Sequence, residues 1–289
     1  MPKIILSDNI NEIPSDRIGI DMGQSLSKIV FLETNELTLT SFPTQSSIQD
    51  IKVLLNSKRD QIDIFNFTGG RSFELYTEYS KNHKSNLINE FEANVKGVEI
   101  LHKLEKNKEL PRSLIITIGT GTSIVLKDDS IKHLGGSALG GGFFMGLVKS
   151  IFDLDDFYKA ISIAQKGNRY NVDLKVSDIY HPDDKRVGLL FREFTAASLG
   201  KINEKFNIKS LSQEDFINSI ICLIGENLAI IANSMADNND VKNIVFCGGF
   251  IKENKILRKI LSLICKVNKK KGIFLKNSEF CAAIGALLI

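Results

Sequence analysis

The 289-residue chain lacks both a strong excess of charge and an uninterrupted run of 18 apolar residues. Its 37 basic and 34 acidic residues leave a net charge of +3, which is too even for nucleic acid or a membrane surface to be the expected partner. An apolar share of 43% is ordinary for a globular protein and excludes a disordered or collagen-like chain. The N-terminus turns polar after a short apolar stretch, unlike a signal peptide. We therefore predict a cytoplasmic protein that does not act at a membrane.

Cysteine and histidine are few, and their spacing does not suit metal or nucleophile chemistry. The four cysteines form no CxxC pair, and the four histidines form no triad or HExxH arrangement. A GxSxG elbow, a GxxxxGK[ST] phosphate loop and a strand-to-helix GxGxxG fingerprint are also absent. These absences argue against a zinc site, a disulfide framework, those hydrolase classes and dinucleotide oxidoreductases. The cysteines are predicted to be buried, reduced thiols.

Two segments about a hundred residues apart share one design. Residues 17–32 and 113–126 each contain an apolar run, a turn rich in small and hydroxyl residues, and a second apolar run. Such patterns predict β-hairpins, and strand and helix patterns alternate along the rest of the chain, which favours an α/β fold. We place two lobes at 1–112 and 113–289, each offering its turn to a shared cleft. Further predictions are helices at 89–106, from 143, at 211–237 and at 278–289, and a strand at 243–247.

The first turn combines groups that bind phosphate. Asp21 ends a buried strand, where it either forms a local Asx-turn or orients Mg²⁺ and its waters beneath nucleotide phosphates. Gly23, Ser25 and Lys28 add a closely approaching backbone, a hydroxyl and an ammonium group. Each is common alone, but their combination within eight residues, repeated in part by the turn at 119–123, favours a nucleotide phosphate site.

Two glycine clusters can each be interpreted either as structural or as part of a ligand site. The run at 140–142 either packs closely on its neighbours or brings backbone to a phosphate at the N-terminus of the following helix. Gly248 and Gly249 lie between a strand and a helix, where they form an ordinary turn or lie flat against an adenine.

Glu90 opens a helix after a polar loop. Acidic residues in a first helical turn usually complement the helix dipole, and we assign that role to Glu92 and Glu99. Glu90 follows the glycine turn at 68–70 and is predicted to lie at the cleft, where its carboxylate can accept the proton of a substrate hydroxyl. Phosphoryl transfer relies on positioning and charge stabilisation, so one such base with nearby cations is sufficient.

Several segments occur in an order that resembles the type II (eukaryotic-like) pantothenate kinases. They are GIDMGQSLSKIV, TGG, NEFEA, IGTGTS, HLGGSALGGGFFMGL, DLKVSDIY, TAASLGK and AAIGALL, from about residue 18 to the C-terminus. The phosphate turns suit any member of the actin/Hsp70/sugar-kinase superfamily, whereas the NEFEA, GGG and TAAS segments narrow the resemblance.

The resemblance implies two ribonuclease-H-like lobes of the actin-like ATPase fold, a homodimer, and ATP and pantothenate in the cleft. It implies transfer of the ATP γ-phosphoryl group to the primary hydroxyl of pantothenate, the first step of coenzyme A synthesis, with Glu90 as general base. Asp21 would hold Mg²⁺ through water, and His133, Thr195 and Ala197 would lie on the substrate side, with 195–201 at the pocket or at the dimer contact. The residues implied to contact ATP are Asp21, Met22, Gly23, Gln24, Ser25, Leu26, Ser27, Lys28, Thr120, Gly141, Gly142, Phe143, Phe144, Met145, Phe157 and Gly249.

Three positions depart from the family pattern. Gln24 stands where a second glycine is usual, and Glu92 replaces an aspartate. His133 stands where the family commonly has an arginine thought to bind substrate, and a histidine lacks the bidentate fork of a guanidinium. Two alternatives therefore stay open: a kinase of the same superfamily for another small alcohol, such as an amino sugar or a pantothenate analogue, and a non-catalytic ATP-binding regulatory protein.

Overall fold

A computed structural model describes residues 3–5, 13–188 and 192–289, and it contains two mixed β-sheets separated by helices. The first sheet has the strand order β1-β4-β3-β2-β5-β6 and the second has the order β13-β12-β7-β8-β9. A small ladder pairs β10 with β11. The strands are β1 (Lys3–Ile5), β2 (Arg17–Met22), β3 (Leu26–Glu33), β4 (Glu36–Pro43), β5 (Ile64–Thr68), β6 (Ser85–Leu87), β7 (Ser113–Ile118), β8 (Thr122–Lys127), β9 (Ile131–Ser137), β10 (Leu174–Lys175), β11 (Thr195–Ala197), β12 (Asn243–Cys247) and β13 (Lys271–Phe274).

The two sheets repeat one topology. In the first, β2 pairs antiparallel with β3 and parallel with β5. In the second, β7 pairs antiparallel with β8 and parallel with β12. The turns 23–25 and 119–121 therefore occupy equivalent places, each at the end of the strand that opens its hairpin. The predicted duplicated hairpins and the α/β fold are confirmed.

Helices cover the sheets in layers. Helices α1 and α2 pack on the outer face of the first sheet, α3 and α8 lie between the sheets, and α4 to α7 cover the outer face of the second sheet. Strand β7 illustrates the alternation, since Leu114 faces the outer core and Ile115 faces the layer between the sheets. The helices are α1 (Ile48–Lys58), α2 (Phe73–Tyr79), α3 (Glu90–Lys106), α4 (Gly141–Phe152), α5 (Phe157–Ala164), α6 (Gln213–Asn238), α7 (Lys255–Val267) and α8 (Cys281–Leu288).

The predicted small-residue helix near the C-terminus packs closely on its neighbours. A Cβ at Gly97 of α3 would overlap the carbonyl oxygen of Cys281, and a Cβ at Gly285 of α8 would overlap that of Ala93. A Cβ at Gly19 of β2 would likewise overlap backbone atoms of α8. Helix α8 therefore packs against elements that precede residue 112. The division of the chain into lobes at 1–112 and 113–289 stays a prediction.

Helix α6 begins as predicted, with the Ser212 hydroxyl accepting a hydrogen bond from the Asp215 amide at 3.2 Å. Its most apolar window has a mean hydropathy of 1.6, long and apolar enough to cross a membrane, but 67% of that window is buried inside the chain itself. Residues 216–235 are therefore mainly core, although Ile230 is 61% exposed.

Candidate active site

An ion pair lies at the end of the first hairpin. Asp21 and Lys28 are paired across β2 and β3, and Lys28 Nζ donates to Asp21 Oδ2 at 2.9 Å. The exposed fractions of the two side chains are 6% for Asp21 and 14% for Lys28. Two opposite charges of this kind, held at a strand end beside a turn, are neutralised by each other in the absence of a ligand.

Main-chain and hydroxyl hydrogen bonds fix the turn itself. The Gly23 amide donates to the Leu26 carbonyl at 3.2 Å, and Thr44 Oγ1 donates to the Gly23 carbonyl at 2.8 Å. Ser27 is fully buried, and its hydroxyl lies 3.0 Å from Thr44 Oγ1. The Ser27 hydroxyl therefore braces the turn from behind. The Met22 side chain is 3% exposed and packs in the core of the first lobe. A contact of either residue with ATP stays a prediction, and it would have to be made by main-chain atoms.

The glycine turn after β5 packs against the same strand end. Gly69 has a φ of +89°, and a Cβ there would lie 2.5 Å from Asp21 Oδ1. The Arg71 amide donates to the Met22 carbonyl at 2.9 Å, and Arg71 Nε donates to Gln24 Oε1 at 2.7 Å. The turn 69–71 is thus joined to the first phosphate turn through main chain and side chain.

The second turn is fastened to the N-terminus of α4. The amide of Gly141 donates to the Gly119 carbonyl at 2.8 Å, and the amide of Gly142 donates to the Thr120 carbonyl at 2.9 Å. A Cβ at Gly140 would lie 2.7 Å from the Thr120 carbonyl oxygen. The close-packing interpretation of the glycine run is therefore confirmed, and two amides that a phosphate would need are already bonded to the turn.

The two turns meet. Ser25 Oγ and Thr120 Oγ1 lie 2.9 Å apart, although the two residues are separated by 95 positions in the sequence. The predicted arrangement, in which both hairpin turns face one cleft, is confirmed by this contact.

Glu90 is the first residue of α3, and its neighbour Asn89 caps the helix by accepting hydrogen bonds from the amides of Phe91 and Glu92. The Glu90 side chain remains accessible to solvent. Burial by surrounding protein is the main cause that raises its pKa, the Asp21 carboxylate adds to the rise, and Lys28 opposes it. Glu90 therefore lies within electrostatic range of the Asp21–Lys28 pair.

An aromatic cluster lies beside the second turn. The rings of Phe144, Phe157 and Phe250 are in mutual contact, with centroid separations of 5.3 to 6.3 Å. Phe144 is fully buried, so its ring belongs to the core, whereas Phe143 is 38% exposed. The contact of both residues with ATP stays a prediction. A Cβ at Gly249 would meet no atom within 4 Å, which leaves room for a ligand against that backbone.

The residues expected on the substrate side lie in two different parts of the structure, one beside the start of α3 and the other in the β10–β11 ladder. His133, on β9, stacks on Phe91 of α3 with ring centroids 4.1 Å apart and planes 13° apart, next to Glu90. Thr195 and Ala197 lie in β11, and within residues 13–188 and 192–289 no hydrogen bond joins them to Glu90 or to either turn.

A buried ionic network positions the segment after β11. Asp173 is fully buried and accepts hydrogen bonds from the Leu199 amide at 2.7 Å, from Ser219 Oγ at 2.5 Å and from Arg169 Nε at 2.6 Å. Arg169 also forms a two-bond contact with Glu226 of α6. The 195–201 segment is therefore anchored to the second lobe.

Sequence reasoning missed Arg71 and Phe91. Arg71 directly follows the Thr-Gly-Gly motif that the sequence singles out, and Phe91 directly follows Glu90. Their contacts with Gln24 and His133 arise between segments far apart in the sequence.

The sequence profile of the Fumble family matches residues 17–289. A type II pantothenate kinase of Bacillus cereus (strain AH820) is 33% identical over 279 residues, which cover 94% of this chain and 96% of the relative. A type II pantothenate kinase of Oceanobacillus iheyensis is 33% identical over 277 residues, covering 94% of this chain and 98% of the relative.

Solved structures with a similar fold include the ADPNP-bound activator of the 2-hydroxyisocaproyl-CoA dehydratase from Clostridium difficile, with a TM-score of 0.61, 19% identity, and coverage of 94% of this chain and 92% of the other. A ROK family glucokinase from Streptomyces griseus, in complex with glucose and AMPPNP, has a TM-score of 0.57, 10% identity, and coverage of 94% and 97%. These likenesses confirm the predicted two-lobed, actin-like ATPase fold. Together with the profile match and the bacterial relatives, they show that the chain belongs to the Fumble family.

Proposed function

We propose that this chain is a pantothenate kinase that transfers the γ-phosphoryl group of ATP to the primary hydroxyl of pantothenate and so forms 4'-phosphopantothenate. The relatives at 33% identity are named type II pantothenate kinases and match along nearly the whole chain. The structural observation that carries the proposal is the position of Glu90, whose pKa is raised at a cleft that also holds an aspartate–lysine pair.

ATP is proposed to bind between the two turns, with its phosphates against Gly23 to Lys28 on one side and Thr120 on the other. The Ser25–Thr120 contact marks where the turns approach most closely, and both hydroxyls can turn toward phosphate oxygens instead of each other. Gly249 and the neighbouring rings of Phe157 and Phe250 form a surface suited to the adenine. For Gly141 and Gly142 the proposed role is to hold Thr120 in place, since their amides are bonded to the turn.

Asp21 is proposed to hold Mg²⁺ through water. In kinase sites this ion typically keeps several waters and is held by one or two carboxylates together with substrate phosphates. The chemistry of Asp21 fits this demand, because it is a carboxylate at the phosphate turn whose partner Lys28 can move to a phosphate oxygen when a cation arrives. When bound, the ion supplies charge stabilisation for the transferred phosphoryl group.

Glu90 is proposed to act as the general base. As the new O–P bond forms, Glu90 takes the proton of the pantothenate hydroxyl, and the bond from the γ-phosphorus to the bridging oxygen breaks to release ADP. A raised pKa suits this task, since a carboxylate with a higher pKa is a stronger base. Lys28 and the turns stabilise the charge on the phosphoryl oxygens.

Two further parts of the proposal concern the substrate side and the assembly. His133, stacked beside Glu90, is proposed to border the acceptor. Thr195 Oγ1 is buried without a hydrogen-bond partner among the described residues, which supports a ligand or partner at Thr195 and Ala197. We further propose a cytoplasmic homodimer.

Glu90→Gln with Glu92→Gln as a matched control tests the base. Both residues lie in the first turn of α3, and the Asp21–Lys28 pair acts on the pKa of Glu90, which its surroundings raise. We expect Glu90→Gln to lower kcat by about 10²–10⁴-fold while ATP affinity persists, and Glu92→Gln to retain activity. The readout is phosphopantothenate formed with Mg-ATP, measured by mass spectrometry. Equal losses in both variants would contradict the assignment.

The raised pKa of Glu90 also predicts how activity and stability change with pH. Because the base must be ionised, activity should fall on acidification at a higher pH than an ordinary glutamate would dictate. Ionisation of Glu90 opposes folding, so Glu90→Gln should be more stable than the wild type at neutral pH. That advantage should vanish below about pH 4, where the glutamate is protonated in both folded and unfolded chains. Chemical denaturation across this range measures it.

The second candidate function is phosphorylation of another small alcohol, which the His133 stack favours because no arginine fork is offered at that position. A competition assay that offers pantothenate, pantothenate analogues and amino sugars with Mg-ATP separates the two candidates by kcat/KM. ATP binding with no acceptor phosphorylated would instead indicate the regulatory protein.

A further inference from the structure

The Gly-Gly-Arg turn after β5 brings a cation to the first phosphate turn. The Arg71 amide is bonded to the Met22 carbonyl at 2.9 Å, so the residue is fastened to the strand that ends at Asp21 and Met22. Gly69 can adopt its φ of +89° and pack on Asp21 only because it lacks a side chain. The position of Arg71 therefore follows from the backbone of the turn and not from a flexible side chain alone.

The guanidinium is held at one end only. Arg71 Nε donates to Gln24 Oε1 at 2.7 Å, and Gln24 belongs to the phosphate turn itself. No hydrogen bond or ion pair to another residue of 13–188 or 192–289 engages Nη1 and Nη2, and the side chain is exposed. A guanidinium with one donor fixed and two nitrogens available is suited to bind an oxyanion through two parallel bonds.

The backbone beside Arg71 leaves room for such a ligand. A Cβ at Gly70 would meet no atom within 4 Å, whereas Gly69, one residue earlier, is packed against Asp21. Lys28 is already paired with Asp21, so Arg71 is a second cation at this turn. An additional positive charge next to the turn is therefore available to an incoming anion.

We infer that Arg71 binds the terminal phosphate oxygens of ATP and that Gln24 is the positioning residue that aims it. The inference rests on the proposed function, because it takes the turn at 23–28 as the site of the triphosphate. Gln24 supplies the amide oxygen that fixes the guanidinium at the turn. The ligand class is a nucleoside triphosphate, distinguished from a diphosphate by its γ-phosphate.

Binding of nucleotides to Arg71→Ala, measured by calorimetry in the full chain with Mg²⁺ and without acceptor, tests the inference. We expect affinity for a non-hydrolysable ATP analogue to fall by about 10–100-fold, as for loss of a charged hydrogen-bonding group, with a much smaller loss for ADP. Arg71→Lys keeps the charge but not the fork, and it should recover only part of the discrimination. Lys81→Ala, at the opposite end of α2, is the matched control and should bind both nucleotides as the wild type does.

Gln24→Ala tests the positioning role. It should reduce discrimination between the ATP analogue and ADP in the wild-type background and have no further effect when combined with Arg71→Ala. If Gln24→Ala lowers the discrimination as much in the Arg71→Ala background as in the wild type, Gln24 acts independently of Arg71 and its positioning role is overturned. Unchanged discrimination in Gln24→Ala alone would overturn it too.

Unchanged discrimination between the ATP analogue and ADP in Arg71→Ala would overturn the role of Arg71. This outcome is distinct from failure of the proposed function, because nucleotide binding is measured without an acceptor. A chain that binds the ATP analogue through Arg71 but phosphorylates no pantothenate would refute the pantothenate assignment and leave this inference standing.

Discussion

The two hairpin turns occupy equivalent places in equivalent sheets, yet their chemistry differs. The first turn carries charge: the Asp21–Lys28 pair lies at its base and Arg71 is bonded to its tip. The second turn carries no ionisable side chain between Gly119 and Gly121, and it is held by amides at the start of α4. One topology thus supports a charged turn in one lobe and a neutral, rigid turn in the other.

The difference follows from what each turn packs against. The first turn adjoins the glycine turn at 69–71 and the end of β4, from which the polar side chains of Arg71 and Thr44 hydrogen-bond to it. The second adjoins a glycine-rich helix start so closely that a Cβ at Gly140 would approach the Thr120 carbonyl to 2.7 Å. Close packing of backbone on backbone leaves no room for a charged side chain, so duplicated folds can diverge by changing the neighbour of a turn rather than the turn itself.

Removing the charge from the first turn should have the largest effect. Asp21→Asn is expected to lower kcat by about 10²–10³-fold, because preorganised charge in an active site is worth that much. Thr120→Val, in the second turn, should cost less than about tenfold, since it removes one neutral hydroxyl. Steady-state kinetics with Mg-ATP measures kcat for both variants. Similar losses of kcat would show that the charged turn contributes no more to catalysis than the neutral one.

A methyl group added at Gly140, which packs against the second turn, should mainly affect the stability of the fold. Gly140→Ala is expected to lower the free energy of unfolding by about 1–3 kcal/mol, because the Cβ meets carbonyl oxygens that belong to rigid backbone. Gly146→Ala, in the same region of the chain but with no atom within 4 Å of the added Cβ, should raise it by about 0.5–1 kcal/mol as a helix-interior glycine replaced by alanine. Urea denaturation compares the two, and a destabilised Gly146→Ala would argue against this packing account.

The contact between the turns should give the smallest effect. A double-mutant cycle of Ser25→Ala and Thr120→Val is expected to yield a coupling of about 0.5–1.5 kcal/mol in stability without nucleotide, typical of one hydrogen bond. With a bound ATP analogue the coupling should fall, since both hydroxyls then turn to phosphate. A coupling that persists unchanged would mean that nucleotide does not enter between them.

Much of the fold could be predicted from the sequence because local pattern determines it. Alternating apolar residues and glycine turns predicted both hairpins, and Ser212 marked the start of α6. Whether a given side chain faces the cleft or the core could not be predicted, since that depends on register and on packing partners. Ser25 reaches Thr120, whereas Ser27, two residues later, is buried against Thr44.

The parts of the site that could not be predicted are contacts across long sequence separations. Arg71 is bonded to Gln24 because a positive φ at Gly69 folds the loop back onto β2. The residue types at 69–71 do not predict Gln24 as the partner. The stack of His133 on Phe91 joins the two lobes in the same way. The position of Glu90 at the start of α3 was predictable because a helix that begins after a glycine turn is itself a local signal.

The packing of α8 has a consequence for how the protein is made. Its glycine and alanine residues fill the groove formed by Gly19 on β2 and Gly97 on α3, so the lobe that leaves the ribosome first is the last to be completed. Until residues 281–288 are synthesised, the surface of that groove is exposed to water or to a chaperone. The core of the first lobe is therefore completed by a helix that is synthesised after the whole second sheet.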